Sequence, residues 1–181
     1  MSTNVQRVLH DYLGPRAYPV KGSVADIKVG DALFLDARFQ GNTAQQTVRP
    51  ASSGSAGSTA ADGRSQFATL FAGIAAARHD LNTFDKNIPV AVDAEVEFII
   101  VNSAGVDTAV TADFAPGTQV AIAVDGSNVP INDRVVVEGH GSVTTIADAE
   151  VIGLASRQIK SGDKTVRVHI KSMQVFSQVG V

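Results

Sequence analysis

Cysteine and tryptophan are both absent from this chain. Without cysteine there can be no disulfide, no thiolate zinc site and no cysteine nucleophile. Charge is also scarce: charged residues make up 18%, below the usual quarter of a soluble domain. Low charge leaves less solvated surface and favours burial of some of it against partners. Lys and Arg number 15 against 18 Asp and Glu, a net charge of -3. With no basic excess, the long-range field does not draw the chain to nucleic acid or to an anionic membrane. No run approaches the roughly 18 apolar residues of a membrane helix, and the stretch Met1-Ser2-Thr3-Asn4-Val5-Gln6-Arg7 lacks the apolar core of a signal peptide. A soluble product with neither nucleic acid nor membrane as partner is expected. Aromatics are 6%, and most of the eight Phe sit in apolar runs, which marks them as core rather than base-stacking platforms.

What is present is 44% hydrophobic residues over 181 positions, enough to build a core in one domain. A cassette recurs. A turn and a short apolar strand appear in Gly30-Asp31-Ala32-Leu33-Phe34-Leu35 and in Asn132-Asp133-Arg134-Val135-Val136-Val137. A glycine flanked by apolar residues follows each, in Phe71-Ala72-Gly73-Ile74-Ala75 and Val151-Ile152-Gly153-Leu154-Ala155. Asp31 to Gly73 is 42 positions and Asp133 to Gly153 is 20, so this alignment puts 42 − 20 = 22 extra residues in the first half.

Residues 1–19 read as an arm. Val5, Leu9 and Tyr12 or Leu13 fall at helical spacing, and Pro15 and Pro19 then force extended chain. Residues 20–181 read as one β-domain. Within it, 38–66 is rich in Gly, Ser, Ala and Thr and reads as a long inserted loop. Over 67–78 the alanines allow a helix, but Gly73 would weaken it and the match to Glu150–Ser156 favours strand. From residue 90 apolar and polar residues alternate with the period of a half-buried strand. Short strands at Val120–Val124, Val135–Glu138, Val143–Ile146, Val151–Ala155 and Val166–Ile170 are separated by turn residues such as Asp125-Gly126. This pattern predicts an all-β fold, a small β-barrel or β-sandwich with two related halves, an extended N-terminal arm and a long inserted loop.

No catalytic signature lies on these strands. The four histidines, His10, His79, His140 and His169, match no metal spacing and read as solvated surface residues. His79-Asp80 is a poor dyad because adjacent strand residues face opposite ways. Asp93, Glu95 and Glu97 line one strand face and could attract a hard cation, although such a row is more often the solvent face of a sheet. Neither a nucleophile elbow nor a phosphate-binding loop is present. No enzyme activity and no cofactor are expected. Two features point to contact. Tyr12 and Tyr18 in the arm can bury apolar area with a polar tip. Arg38, Arg49, Arg64 and Arg78 decorate the inserted loop and its surroundings, and arginine is favoured at interfaces.

The cassette Gly22-Ser23-Val24, Val29 to Leu35 and Phe71 to Ala75, followed by Val151 to Ala155 and Val166 to Ile170, resembles tailed-bacteriophage capsid decoration (cement) proteins. The resemblance spans roughly residues 20–171 and departs from the family pattern in the insert and the arm. It implies a virion protein on the capsid exterior, made in the cytoplasm of a bacterial host. It further implies a homo-oligomer, with a trimer favoured, that binds the major capsid protein. The contact residues expected for such a role come from the arm and the insert themselves: Arg7, Tyr12, Arg16 and Tyr18 in the arm and Arg38, Phe39, Arg49 and Arg64 in the insert. A β-barrel ligand- or sugar-binding module is the alternative, disfavoured by the lack of Trp. A hydrolase would need an exposed acid of strongly raised pKa in a cleft.

Overall fold

The computed structural model describes residues 7–20, 26–36, 47–80 and 87–171. Two strands come from the arm, β1 (Arg7–Asp11) and β2 (Arg16–Pro19). Next come β3 (Ala32–Leu35), β4 (Val48–Pro50), helix α1 (Ala60–Thr69), β5 (Phe71–Ala75) and β6 (Asn87–Ala91). The remainder is β7 (Asp93–Ile100), β8 (Gln119–Val124), β9 (Pro130–Val137), β10 (Val151–Ala155) and β11 (Thr165–Lys171). The fold is all-β apart from α1, as the strand periodicity predicts. In β7 the alternation is complete: Ala94, Val96, Phe98 and Ile100 are fully buried while Asp93, Glu95, Glu97 and Ile99 face partly outward.

Strands β7, β11, β10, β8 and β9 form a closed barrel. The last contact is parallel, pairing Ile99 with Arg134 and Ile100 with Val135. Its interior holds Phe98, Ile100, Val120, Ile122, Val135, Val166 and Val168. Strands β2, β6, β5, β3 and β4 form a second sheet in the corresponding order. Here the parallel closure shrinks to one bridge, Val20 to Val48. Ile27, Leu33, Leu35, Val48, Ile88 and Val90 fill this half, with Tyr18 against them.

The two halves match residue by residue. Leu33 pairs with Pro50 and Gly73 as Val120 pairs with Val137 and Gly153. Gly30 donates its N–H to the Ala75 carbonyl as Gly117 does to Ala155, each at 2.8 Å. Both turn glycines have positive φ, 92° and 88°, which glycine adopts at no steric cost. The bridge Ile27–His79 recurs as Phe114–Ile159. The repeat therefore exists, but its second copy opens at Gly117-Thr118. Asn132-Asp133 lies inside β9 instead. The true offset is 87 positions at the β3–β4 pair (120 − 33) and 80 at β5 (153 − 73), so between those strands the first half carries 87 − 80 = 7 extra residues rather than 22.

Those extra residues help to build α1, where the sequence composition predicts only loop. Thr59 caps the helix by accepting from the Asp62 N–H at 3.1 Å, and the Asp62 carboxylate accepts from the Thr59 N–H at 3.2 Å. This reciprocal capping box satisfies two otherwise orphaned donors. The expected strand over 67–78 begins only at Phe71, because 67–69 finish the helix. α1 ties the halves together. Phe67 stacks edge-on to Phe34 at 6.2 Å and contacts Phe71 at 5.6 Å. On the other side, Arg64 forms a buried ion pair with Glu150. Gly57 and Asn128 exchange backbone and side-chain hydrogen bonds.

Three further expectations change. The arm is extended, but its helical spacing gives way to ladder pairing in β1 and β2. Val143–Ile146 is not a strand; it covers the outer face of the closed barrel, packing on Ala121, Ala123 and Val136. His140 is buried rather than solvated, and neither ring nitrogen has a hydrogen-bond partner among the described residues.

Asp31 is a buried carboxylate in the first turn, accepting from the Lys28 N–H at 2.9 Å. Burial pushes its pKa above the ordinary 3.8, against the pull of that hydrogen bond. A raised folded-state pKa means that the unfolded chain ionises first as pH rises, so Asp31 subtracts stability above the unfolded pKa. Asp31→Asn keeps an acceptor for Lys28. It is expected to raise the melting temperature near neutral pH, with the gain shrinking as pH falls through the ordinary carboxylate range. Thermal unfolding of both forms across that range checks it.

Candidate functional site

Three of the six exposed large hydrophobics among the described residues, Leu9, Tyr12 and Leu13, lie in and just after β1. β1 pairs with the first half of β7, from Arg7 opposite Glu97 to Asp11 opposite Ala94. β9 takes the second half of that same β7 edge. No strand covers the other edge of β1 among the described residues. A bulge between Val8 and His10 shifts the register. Val8 packs on the core, while Leu9 at the bulge is 37% exposed, Tyr12 51% and Leu13 56%. The backbone holds this run in place: Tyr12 donates to the Asp93 carbonyl at 2.9 Å and Leu13 to the Asp11 carboxylate at 3.2 Å.

Around Tyr12 the surface is organised. Its ring lies 4.5 Å from His10 and 5.0 Å from His169, centroid to centroid. His169 is itself fixed by Asp93, 2.7 Å from its Nε2. Leu154, exposed, sits opposite His169 in the β10–β11 ladder. A polar border continues along β7: Glu95 accepts from Ser156 at 2.8 Å and lies 3.7 Å from Arg157, and Glu97 accepts from Thr165 at 3.1 Å. The three carboxylates thus have protein partners. Among the described residues no group of three metal-binding side chains converges. An aromatic and leucine centre with a polar border is the composition of a contact surface.

β2 offers no comparable edge. Pro19 and Pro89 have no N–H, so its ladder to β6 runs through Arg16 and Tyr18. Ala17 and Pro19 are left facing away, and proline there blocks addition of a further strand.

The eight residues expected to make contacts scatter. Tyr12 is central to this surface. Arg7 belongs to β1 opposite Glu97. Arg16 is half-buried opposite Val90. Tyr18 packs against the core of the β2–β6–β5–β3–β4 sheet and is structural. Arg64 is buried with Glu150 and cannot reach a partner. Arg49 lies beside a pocket, described next. Arg38 and Phe39 fall outside the described residues. Leu9, His10, Leu13, Leu154 and His169 were missed by sequence reasoning, and exposed leucines in a bulged strand carry no pattern to find them by.

A half-open pocket of about 180 Å³ lies between α1 and the outer face of β3 and β4. Phe34, Phe67, Leu70 and Pro130 form its apolar walls, and Asp36 and Arg49 form its polar end. Arg49 lies 3.6 Å from Asp36 and stands over the Phe34 ring at 5.9 Å. Asp31, the acid with the raised pKa, does not line this pocket, so it supplies no acid to a cleft there. No protein-family model and no curated protein matches this chain.

Proposed function

We propose that this chain is a capsid decoration protein that clamps major capsid subunits on the outside of a tailed-phage head, acting as a homo-oligomer. The observation that supports it most is the run from Leu9 to Leu13, which holds three of the six exposed large hydrophobic residues described. A concentrated apolar patch on an otherwise well-buried β-scaffold is the mark of a protein-binding surface. A trimer presents three such edges at once, and linked sites gain avidity without new contacts. Sugar binding is less well supported: Tyr18 is committed to the core, leaving Tyr12 as the one exposed tyrosine.

Co-sedimentation with capsid shells of the parent phage, before and after expansion, tests the assignment. Saturable binding at a fixed copy ratio to expanded shells is expected; no binding to either form refutes it. Tyr12→Ala combined with Leu13→Asp is expected to weaken that binding about 100-fold or more, since buried aromatic anchors cost about 2 kcal/mol or more each when truncated. Both side chains are exposed, so the melting temperature should stay within a degree or two of the parent, and a large drop would signal that the face is structural instead.

A further inference from the structure

We infer that residues 172–181 fold back over the outward face of β11, β7 and β1 and cover Tyr12 and Leu13, an occupant that a docking partner must displace. Position carries the argument. Lys171, the last residue of β11, pairs with Asp93. From the other edge of β7, the Tyr12 N–H donates to the Asp93 carbonyl at 2.9 Å. Neighbouring strands lie about 4.8 Å apart, so the chain leaves β11 about 10 Å from Tyr12. β1 and β11 both run antiparallel to β7, so it leaves at the Tyr12–Leu13 end of β1. Residues 1–6 enter instead at the far end, where Arg7 lies opposite Glu97.

Composition fits the position. Residues 172–181 lie outside the described residues. They hold five large apolar side chains, Met173, Val175, Phe176, Val179 and Val181, and no charge, in a chain that is 18% charged. Ten extended residues span about 33 Å, about three times the distance to Tyr12. The face is apolar where Tyr12, Leu13 and Leu154 are exposed. Its carboxylates already have partners, Asp93 in His169 and Glu95 in Ser156, so it calls for an uncharged occupant. Tethering favours this copy's own segment over another's. A short linker gives an effective concentration on the order of millimolar, well above that of a second copy at micromolar concentration. The displacement by a partner rests on the capsid reading; the contact itself does not.

Because the chain has no cysteine, Val181→Cys gives a single attachment point for a nitroxide spin label on the full-length protein. Paramagnetic broadening of the amide signals of His10, Tyr12, Leu13, Leu154 and His169 is expected. Phe176→Asp in the labelled chain should remove most of it. Broadening that persists would report tethering alone and overturn the proposal, as would broadening centred on another surface. Broadening seen only when labelled chain is mixed with unlabelled, isotope-enriched chain would put the segment on a neighbouring copy and equally overturn it. In co-sedimentation, Phe176→Asp without the label is expected to bind expanded shells about tenfold more tightly, the gain when a face free in about one molecule in ten is opened fully. Equal, measurable binding of the two forms would refute the displacement. Shells that bind neither form would refute the capsid reading, while the label result stands on the isolated protein.

Discussion

Gly73→Ala is expected to cost about 3–5 kcal/mol of stability, the sum of a strained backbone and an overpacked contact. Gly73 lies in the middle of β5 with φ at +136°, and a Cβ there would sit 2.2 Å from the Ala91 carbonyl oxygen and 2.8 Å from Val90 Cγ1. Both neighbours belong to the adjacent strand, whose backbone cannot retreat without breaking the ladder. Gly153 is its counterpart in β10. A Cβ at Gly153 would lie 2.5 Å from the His169 oxygen and 2.6 Å from Val168 Cγ1, without the positive φ. Gly153→Ala should therefore cost only the overlap, about 1–3 kcal/mol. Urea unfolding of the two variants separates the contributions. Equal losses would show that backbone strain at Gly73 is negligible, and losses under about 0.5 kcal/mol in both, the level of an ordinary surface substitution, would refute the close approach.

Arg64→Met should destabilise by about 3–5 kcal/mol, because removing one partner of a buried ion pair leaves the other charge stranded. The side chains of Arg64 and Glu150 are 11% and 8% exposed. Glu150 also accepts from the Ala147 N–H at 3.2 Å. The pair joins α1 to the turn before β10, so it fastens one half of the molecule to the other. Apolar replacement of both partners can be neutral or stabilising. Arg64→Met with Glu150→Leu is therefore expected to recover most of the loss, to within about 1 kcal/mol of the parent, in a double-mutant cycle. A double variant no more stable than Arg64→Met alone would mean that the helix needs the hydrogen bonds themselves rather than relief from an unpaired charge.

The strand glycines were legible because a steric requirement acts at them: each faces a neighbouring backbone that leaves no room for a Cβ. The alternation in β7 was legible for the same kind of reason, one buried face and one half-exposed face. The second cassette was placed on the wrong turn because Asn132-Asp133 has the composition of a turn, whereas the working turn at Gly117-Thr118 shares only its glycine with Gly30-Asp31. α1 was hidden by its own residues. Gly63 weakens a helix, yet it is needed where Asn128 O would lie 2.5 Å from a Cβ. The Thr59–Asp62 box was the available signal, using Asp where Glu is the usual partner. Arg64 reads as an interface arginine until Glu150, 86 residues away, is brought to it. The exposed face around Tyr12 depends on β1 pairing with one edge of β7 while β11 holds the other, a long-range arrangement that local pattern does not encode.

The attachment of β1 to β7 has a bearing on synthesis. Arg7 pairs with Glu97, 90 positions later (97 − 7), and β7 is held on its other edge by β11, which ends at Lys171. Contacts between segments so far apart slow folding, since the loop must close before the contact stabilises anything. A nascent chain halted before residue 93 has made β1 and the strands of the first half but not the strand β1 pairs with. Leu9 and Val8 then travel without a ladder partner for as long as translation of the second half takes, which makes β1, synthesised before the other described strands, one of the last of them to be secured.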